Sequence, residues 1–332
     1  NIFYFLHKMI KPEMLYSQIN TIFKIILVAL VIELLFLISG NFDLLQKIYP
    51  DVGGSTVQGF RSYHNRFATF FNLNFDGLNS LITGNQIANT LAVLSMIWFS
   101  PFYENKPFKN KPIWFFISVI LFFVSPNMTG AVLVVCYLVL LFTILNNVKV
   151  KKINNFLPIF LALIFLSLLS YRFIFLPLFD PSMLFYYIYI FVTPVLNYIS
   201  MDLIDIIYGH NSINYAARFY SNEIGLIRVA MVIGLPLIIL TFTSFFFIFK
   251  NSNNLFSKTK IKKVLNESEF NAYTSYAYLS QVSITLVIIW FISTFHYLTV
   301  FRLGSVQIIS FLLSISIFSL SKSETIFKRL KK

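Results

Sequence analysis

Runs of about 20 consecutive apolar residues recur along the chain, and they restrict its possible folds more than any other feature. A helix needs about 20 such residues to cross roughly 30 Å of hydrocarbon, so each run predicts a membrane-spanning helix. Seven runs reach or approach that length: Asn20–Gly40, Asn85–Phe102, Met128–Asn146, Phe156–Pro177, Glu223–Phe249, Tyr276–His296 and Leu303–Leu320. A shorter run, Lys111–Asn127, is the eighth. The sequence therefore predicts an all-α polytopic membrane protein of about eight transmembrane helices.

The composition agrees with this fold class. Of the 332 residues, 57% are hydrophobic and only 12% are charged, whereas about a quarter are charged in a soluble domain. The single cysteine, Cys136, lies inside an apolar run, which excludes a disulfide framework and a thiolate metal site. The chain begins with Asn1, and no cleavable signal pattern follows. We therefore expect a truncated N-terminus, with eight helices as a lower bound.

The positive charges are distributed unevenly, and this predicts the orientation. A net charge of +13 suggests nucleic-acid binding in a soluble protein, but cytoplasmic loops of membrane proteins also collect Lys and Arg. With the N-terminus inside, eight crossings put five segments in the cytoplasm, and both termini are among them: 1–19, 103–111, 147–155, 250–275 and 321–332. Together with Lys24 they carry 18 of the 19 lysines. Topology explains the basic balance, and we expect no nucleic-acid partner.

One further apolar segment, Ser182–Ile199, is nearly long enough to span a membrane. If it crossed, the lysine-rich stretch 250–263 and the C-terminal tail would lie outside, against the rule that cytoplasmic loops are basic. Pro194 and the five aromatic residues between Phe185 and Phe191 favour a short interfacial or re-entrant helix instead.

Arginine and histidine, unlike lysine, concentrate on the predicted outer face. Six of the seven arginines and three of the four histidines lie there. The planar guanidinium group binds phosphate or carboxylate through two hydrogen bonds. A single arginine near a helix end also reaches into lipid headgroups. As a group, these side chains predict an outward-facing polar site, carried largely by two large outer loops: 41–84 and 178–222.

Two polar clusters in and beside these loops contain most of the candidate residues. The first begins at Arg61 and ends at Arg66. The second follows the sequence Tyr208-Gly-His210 and contains Arg218, Glu223 and Arg228. A cation inside an apolar helix, such as Arg228, needs a partner from another helix or from an anionic ligand. Walker A, GxGxxG, HExxH and CxxC sequences are all absent, which argues against nucleotide-driven transport and common metal sites.

Four stretches form a recognisable pattern: Arg66-Phe-Ala-Thr-Phe-Phe ahead of Asn85-Gln-Ile-Ala-Asn-Thr-Leu-Ala, Met128-Thr129-Gly130-Ala131, Tyr208-Gly-His210 followed by Asn222-Glu223-Ile-Gly225-Leu-Ile-Arg228 and Gly234-Leu-Pro236, and Phe295-His296-Tyr297. Over 41–320 the chain thereby resembles the bacterial O-antigen and capsular polysaccharide polymerases (Wzy type), relatives of the O-antigen ligases. Many relatives have Ser-Arg-Gly where this chain has Met128-Thr129-Gly130, so one arginine of the family is absent here.

The resemblance implies a membrane glycosyltransferase that uses no metal, nucleotide or other cofactor. Its substrate would be an oligosaccharide repeat on polyprenyl diphosphate. Repeats would be joined at the outer face of the bacterial cytoplasmic (inner) membrane into the O-antigen of lipopolysaccharide or into a capsule. A chain-length regulator and a flippase would be partners in the same membrane. His210 and Glu223 are the expected general bases. The expected ligands of the diphosphate or glycan are Arg61, Arg66, Arg218, Arg228, Arg302 and His296.

Two other functions stay open from the sequence. An O-antigen ligase would use the same chemistry and move a finished glycan onto another acceptor, such as the lipid A core. A transporter or flippase for a glycolipid or an anion predicts internal repeats and charges along a path through the helices. The chain has no clear repeat, and only Glu33 lies in the middle of a predicted span.

Overall fold

The computed structural model describes nine stretches of the chain: 11–38, 85–101, 111–124, 133–141, 192–193, 195–209, 225–257, 267–293 and 305–330. These residues are 94% helical and contain no strand, which confirms the predicted all-α class for the part described. Its helices with defined bounds are α1 Pro12–Ile38, α2 Asn85–Phe99, α3 Pro112–Val124, α4 Leu203–Tyr208, α5 Gly225–Ile233, α6 Leu235–Ser257, α7 Glu267–Ser293 and α8 Ser305–Leu330. Residues 133–141 and 195–199 are also helical.

Four of the described helices are long and apolar enough to cross a membrane: Pro12–Ile32, Leu235–Phe256, Glu269–Ser293 and Gln307–Arg329. Two shorter apolar helices run over Thr90–Phe99 and Pro112–Phe122. The membrane class predicted from the apolar runs is supported by these helices. The predicted run Phe156–Pro177 lies outside the described residues, and the total of eight spans stays a prediction.

Three helices extend beyond the apolar runs that predicted them. α1 begins at Pro12 instead of Asn20, because proline fits the first turn of a helix, where its missing N–H is not needed. α7 begins ahead of Tyr276, and α8 continues past Leu320 as far as Leu330. The backbone hydrogen bonds of a helix continue wherever the residues allow, whereas hydropathy marks only the part that suits hydrocarbon. Apolar runs therefore predict the spans better than the helix ends.

The predicted span Glu223–Phe249 is interrupted. Gly234 separates α5 from α6 and has a φ of 84°, which glycine adopts far more readily than any other residue. Its N–H donates to the carbonyl of Ala230 at 2.8 Å and so completes the last turn of α5. Pro236 then lies in the first turn of α6. The helix long enough to span is therefore Leu235–Phe256, which lies further along the chain than the predicted run.

The chain divides into two compact units, and α1, α2 and α3 belong to one of them. Trp98 of α2 is fully buried there. Its ring stacks on Tyr16 and Phe23 of α1, with ring centroids 5.1 and 5.7 Å apart. The indole Nε1 donates a hydrogen bond of 3.4 Å to Oδ1 of Asn20. One aromatic side chain thus joins α1 to α2.

The other unit contains α4 to α8, and a serine network fully buried between α6, α7 and α8 connects those three helices. Oγ of Ser280 donates to the carbonyl oxygen of Ser316 at 2.9 Å, and Oγ of Ser316 donates to the carbonyl oxygen of Ser280 at 3.0 Å. Oγ of Ser252 lies 2.6 Å from Oγ of Ser280. Because Ser280 has a single hydroxyl proton, Ser252 is the donor in that pair. Small residues allow helices in a membrane to approach this closely.

Candidate functional site

The residues predicted to form the site fall almost entirely outside the described part of the chain. Arg228 lies within α5, but its side chain is not among those described. Seven others lie outside the described residues: Arg61, Arg66, His210, Arg218, Glu223, His296 and Arg302. Their mutual proximity therefore stays a prediction. The described residues do include the segment that leads to His210 and the helices against which it packs.

We call residues 195–209 the docked arm. The arm forms a helical turn at 195–199, bends, and continues as α4. Gly209 ends α4 with a φ of 73°, and its N–H donates to the carbonyl of Asp205 at 2.9 Å. Glycine adopts such a positive φ far more readily than any other residue, so the helix can end here without strain. The next residue in the sequence is His210, which lies outside the described residues.

The docked arm packs against α5 and α6 at the interruption between them. A Cβ atom on Gly234 would overlap the carbonyl oxygen of Ile207 and would lie 2.8 Å from its carbonyl carbon. It would also lie 3.3 Å from the carbonyl carbon of Tyr208. Gly234 is therefore required twice, once for its positive φ and once because the backbone of α4 passes directly over it.

The hydroxyl of Tyr198 connects the two halves of the arm. It donates to the carbonyl oxygen of Ile206 at 3.3 Å. Burial raises the pKa of the Tyr198 phenol above its ordinary value, and the backbone of Leu235, the first residue of α6, opposes that shift.

Beneath the hydroxyl, a small apolar cluster holds the inner face of the arm. Its buried members are Tyr198, Val229, Ala230, Met231 and Ile238, and partly buried residues pack around them: Met201, Ile206, Ile227, Ile233 and Phe242. Three of the buried members directly follow Arg228 in α5. The cluster therefore fixes the helix that carries Arg228 and the arm that leads to His210 within one packed group.

The opposite face of the arm is apolar and exposed. Five of its large side chains are 59% to 74% exposed: Leu196, Ile199, Leu203, Ile204 and Tyr208. In water such a patch is unfavourable, and patches of this kind mark membrane or protein contacts. The arm thus has two apolar faces, one packed inside the protein and one exposed on its surface.

The polar groups of the arm do not form a metal site. Asp202 occupies the N-cap position of α4, is exposed, and makes no side-chain capping hydrogen bond. Asp205 is half-buried in the first turn. Throughout the described stretches there is no group of three or more His, Cys, Asp or Glu side chains that could hold a metal ion.

The sequence reasoning missed the two residues that shape this packing, Tyr198 and Gly234. Gly234 and Pro236 in the middle of an apolar run were a usable signal, because glycine and proline together favour a break in a helix. Tyr198 had no comparable signal, since it is one of 18 tyrosines and its hydroxyl bonds to a backbone carbonyl eight residues further along the chain.

No protein-family model matches the chain, and neither a curated protein nor a solved structure matches it.

Proposed function

We propose that the protein is a membrane glycosyltransferase that joins oligosaccharide repeats carried on polyprenyl diphosphate. In this proposal it acts at the outer face of the bacterial cytoplasmic membrane and builds an O-antigen or a capsule. The observation that supports it best is the docked arm. The arm ends one residue before His210 and packs on α5, the helix that contains Arg228. A proposed general base thus follows a segment held against the helix of a proposed diphosphate ligand.

The proposed reaction needs no external source of energy. The oxygen of a sugar hydroxyl attacks the anomeric carbon of the growing chain, and the bond from that carbon to the diphosphate oxygen breaks. The electron pair of the broken bond leaves with the polyprenyl diphosphate, while the hydroxyl proton passes to His210 or Glu223. Guanidinium groups of Arg66, Arg218 and Arg228 neutralise the developing negative charge on the diphosphate.

A lipid-linked substrate places its tail in hydrocarbon and its diphosphate at the membrane surface, so an enzyme for it needs polar groups at that depth. The exposed apolar face of the docked arm suits this position, with Leu203 and Ile204 turned towards hydrocarbon. The inner face of the arm packs against the apolar cluster that it shares with α5 and α6. We propose the arm as a short interfacial helix; the segment predicted for such a helix, Ser182–Ile199, overlaps the arm only at 195–199.

The proposal is tested with the full-length protein in proteoliposomes and a synthetic polyprenyl-diphosphate repeat. Wild type is expected to make a ladder of longer glycans. Arg218→Ala and Arg66→Ala are each expected to slow polymerisation by about 100-fold or more, because each removes a preorganised donor to the leaving group. Arg329→Ala is the matched control, since Arg329 is exposed at the end of α8 on the predicted cytoplasmic side.

A wild-type protein that leaves the repeat unextended would refute the proposed polymerase. Normal ladders from both Arg66→Ala and Arg218→Ala would refute the diphosphate assignment alone. A deletion strain separates polymerase from ligase, because loss of a polymerase leaves single capped repeats and loss of a ligase leaves long chains that are never delivered.

A further inference from the structure

We propose that Asn253 of α6 and Gln281 of α7 form a buried hydration site, in which an internal water molecule bridges their two side-chain amides. We call these two residues the amide pair, and the site is independent of the proposed function. Gln281 is completely buried, and Asn253 is 3% exposed. Among the described residues, the amide oxygen of Asn253 and both polar atoms of the Gln281 amide are buried without a hydrogen-bond partner.

The contacts between α6 and α7 place the amide pair at one level of the bundle. Oγ of Ser252 lies 2.6 Å from Oγ of Ser280. The ring of Phe245, earlier in α6, packs against Phe291, later in α7, with ring centroids 5.5 Å apart. The two helices are therefore antiparallel, with the two serines facing each other. Each member of the amide pair directly follows one of these serines, so the two amides lie at the same height.

The amide pair also points to one side of the contact between the helices. Successive residues turn by about 100° around a helix of 3.6 residues per turn. In an antiparallel pair of helices, the residues that follow two facing residues therefore turn towards the same side. Tyr276, four residues before Ser280, is turned the opposite way and packs on Phe318 of α8, with ring centroids 6.0 Å apart. The amide pair thus lies on the side of the contact that faces away from α8.

An aromatic contact supports this placement. The ring centroids of Phe256 and Tyr278 are 6.5 Å apart. Phe256 follows Asn253 by three residues, and Tyr278 precedes Gln281 by three. Residues three apart are neighbours on the surface of a helix, so the contact of the two rings brings together the stripes that carry the amide pair. Both rings are buried, and they lie between the amide pair and the helix ends on the predicted cytoplasmic side.

Water is the ligand whose chemistry fits the amide pair. The two amide oxygens are acceptors, and the nitrogen of Gln281 is a donor with two protons. The donor would repel a metal cation, and the two oxygens would repel an anion. A water molecule donates to oxygen, accepts from nitrogen, and bridges polar groups that do not bond directly. An amide buried without such a partner is costly, and internal waters bind to groups of this kind.

The amide pair lies at a depth that water can reach. On α6 the last exposed apolar side chains are Phe246 and Phe247, and Lys250 is exposed about one turn later. A lysine at the end of an apolar surface reaches into the headgroups. Asn253 lies about one turn beyond Lys250. In the predicted orientation the site is therefore level with the inner headgroups.

The sign of a stability change tests the site. Reversible unfolding of the full-length protein is measured in mixed micelles. If water bridges the amides, Gln281→Met should raise the equilibrium constant for unfolding by about tenfold, because it leaves the other amide with an unmet hydrogen bond. If the site is dry, the same substitution should lower that constant, since an apolar side chain replaces an unbonded polar group. Gln307→Met, at an exposed position of α8, is the matched control and should change the constant by less than about twofold.

A double variant tests whether the two amides share one water. Asn253→Leu alone should also raise the equilibrium constant for unfolding by about tenfold. The constant of Gln281→Met combined with Asn253→Leu should fall short of the product of the two single effects by about threefold or more, because the second substitution removes a bond that is already lost. Single effects that simply multiply would overturn the bridge.

Radiolytic hydroxyl labelling of the wild type in lipid nanodiscs detects the water without any substitution, because radicals formed from a bound water oxidise the side chains around it. Tyr278 lies one turn from Gln281. Tyr273 is the control, since it is also buried but its hydroxyl donates to the carbonyl of Leu255 at 2.7 Å. Tyr278 should be oxidised faster than Tyr273, and Gln281→Met should remove the difference.

Two results would overturn the hydration site. Equal oxidation of Tyr278 and Tyr273 in the wild type would do so, whether or not the variants fold. A lower equilibrium constant for unfolding in Gln281→Met would do so as well, because it would show that the amide is buried dry.

Discussion

Ser280→Ala removes the centre of the buried serine network and tests how strongly α6, α7 and α8 are held together. The substitution deletes the donor to the Ser316 carbonyl at 2.9 Å and the acceptor for the Ser252 hydroxyl at 2.6 Å. The reverse bond, from the Ser316 hydroxyl to the Ser280 carbonyl, survives because it uses only the backbone of residue 280. Alanine is slightly smaller than serine, so the packing is otherwise conserved.

The magnitude follows from the number of bonds lost. Hydrogen bonds between helices in a membrane average about 0.6 kcal/mol each and reach about 1.7 kcal/mol. Two such bonds therefore contribute between about 1 and 3 kcal/mol to the free energy of unfolding. Alanine has the higher helix propensity, which offsets up to about 0.5 kcal/mol of the loss. We expect a net loss of about 0.5 to 3 kcal/mol.

Reversible denaturant unfolding in mixed micelles, followed by circular dichroism, measures this difference. Ser244→Ala on α6 is the matched control, because its Oγ is exposed and donates only to the carbonyl of Leu240 in the same helix, at 2.7 Å. Both substitutions change helix propensity equally, so the difference between them isolates the bonds between helices. If Ser280→Ala unfolds with the same free energy as Ser244→Ala, the network does not hold the helices together and the reasoning is wrong.

Three further predictions concern other parts of the chain. Burial raises the pKa of Tyr198, so the stability that its hydroxyl contributes should be complete below the ordinary phenol pKa of 10.0 and should be lost as the pH rises through the higher pKa of the folded state. The unfolding free energies of wild type and Tyr198→Phe, compared at several pH values, should converge above that higher pKa. Trp98→Ala should lower the free energy of unfolding by about 3 to 5 kcal/mol, since the ring is fully buried. In the same denaturation assay Phe116→Ala should lower it far less, because the Phe116 side chain on α3 is 61% exposed, and equal losses would contradict the packing of α1 and α2. The tryptophan of Leu203→Trp should fluoresce as a membrane-inserted side chain and should be quenched by brominated lipid. If its quenching is no stronger than that of Asp202→Trp, the interfacial position of the arm is contradicted.

The sequence was sufficient for the fold class because transfer into hydrocarbon depends on composition over a whole run. The runs that begin at Asn20 and Tyr276 each predict a helix that the structure contains. Positions of helix ends and interruptions depend on single residues instead. Gly234 counts as nearly neutral in a hydropathy average, yet its positive φ divides a predicted span into α5 and α6. The bond that Tyr198 makes within the docked arm was beyond sequence reasoning because its partner is a backbone carbonyl, which carries no sequence signature.

The interruption at Gly234 and the identity of residue 198 are explained together by the cost of backbone groups without partners in an apolar environment. Dividing a span creates a new helix end, and the docked arm brings a second helix end beside it. At membrane depth, such groups are tolerated only where protein satisfies them. The Tyr198 hydroxyl donates to the carbonyl of Ile206, which lies in the last turn of α4. Phenylalanine at this position would keep the ring in the apolar cluster but would remove that donor, so we expect Tyr198→Phe to loosen the arm where it packs over Gly234.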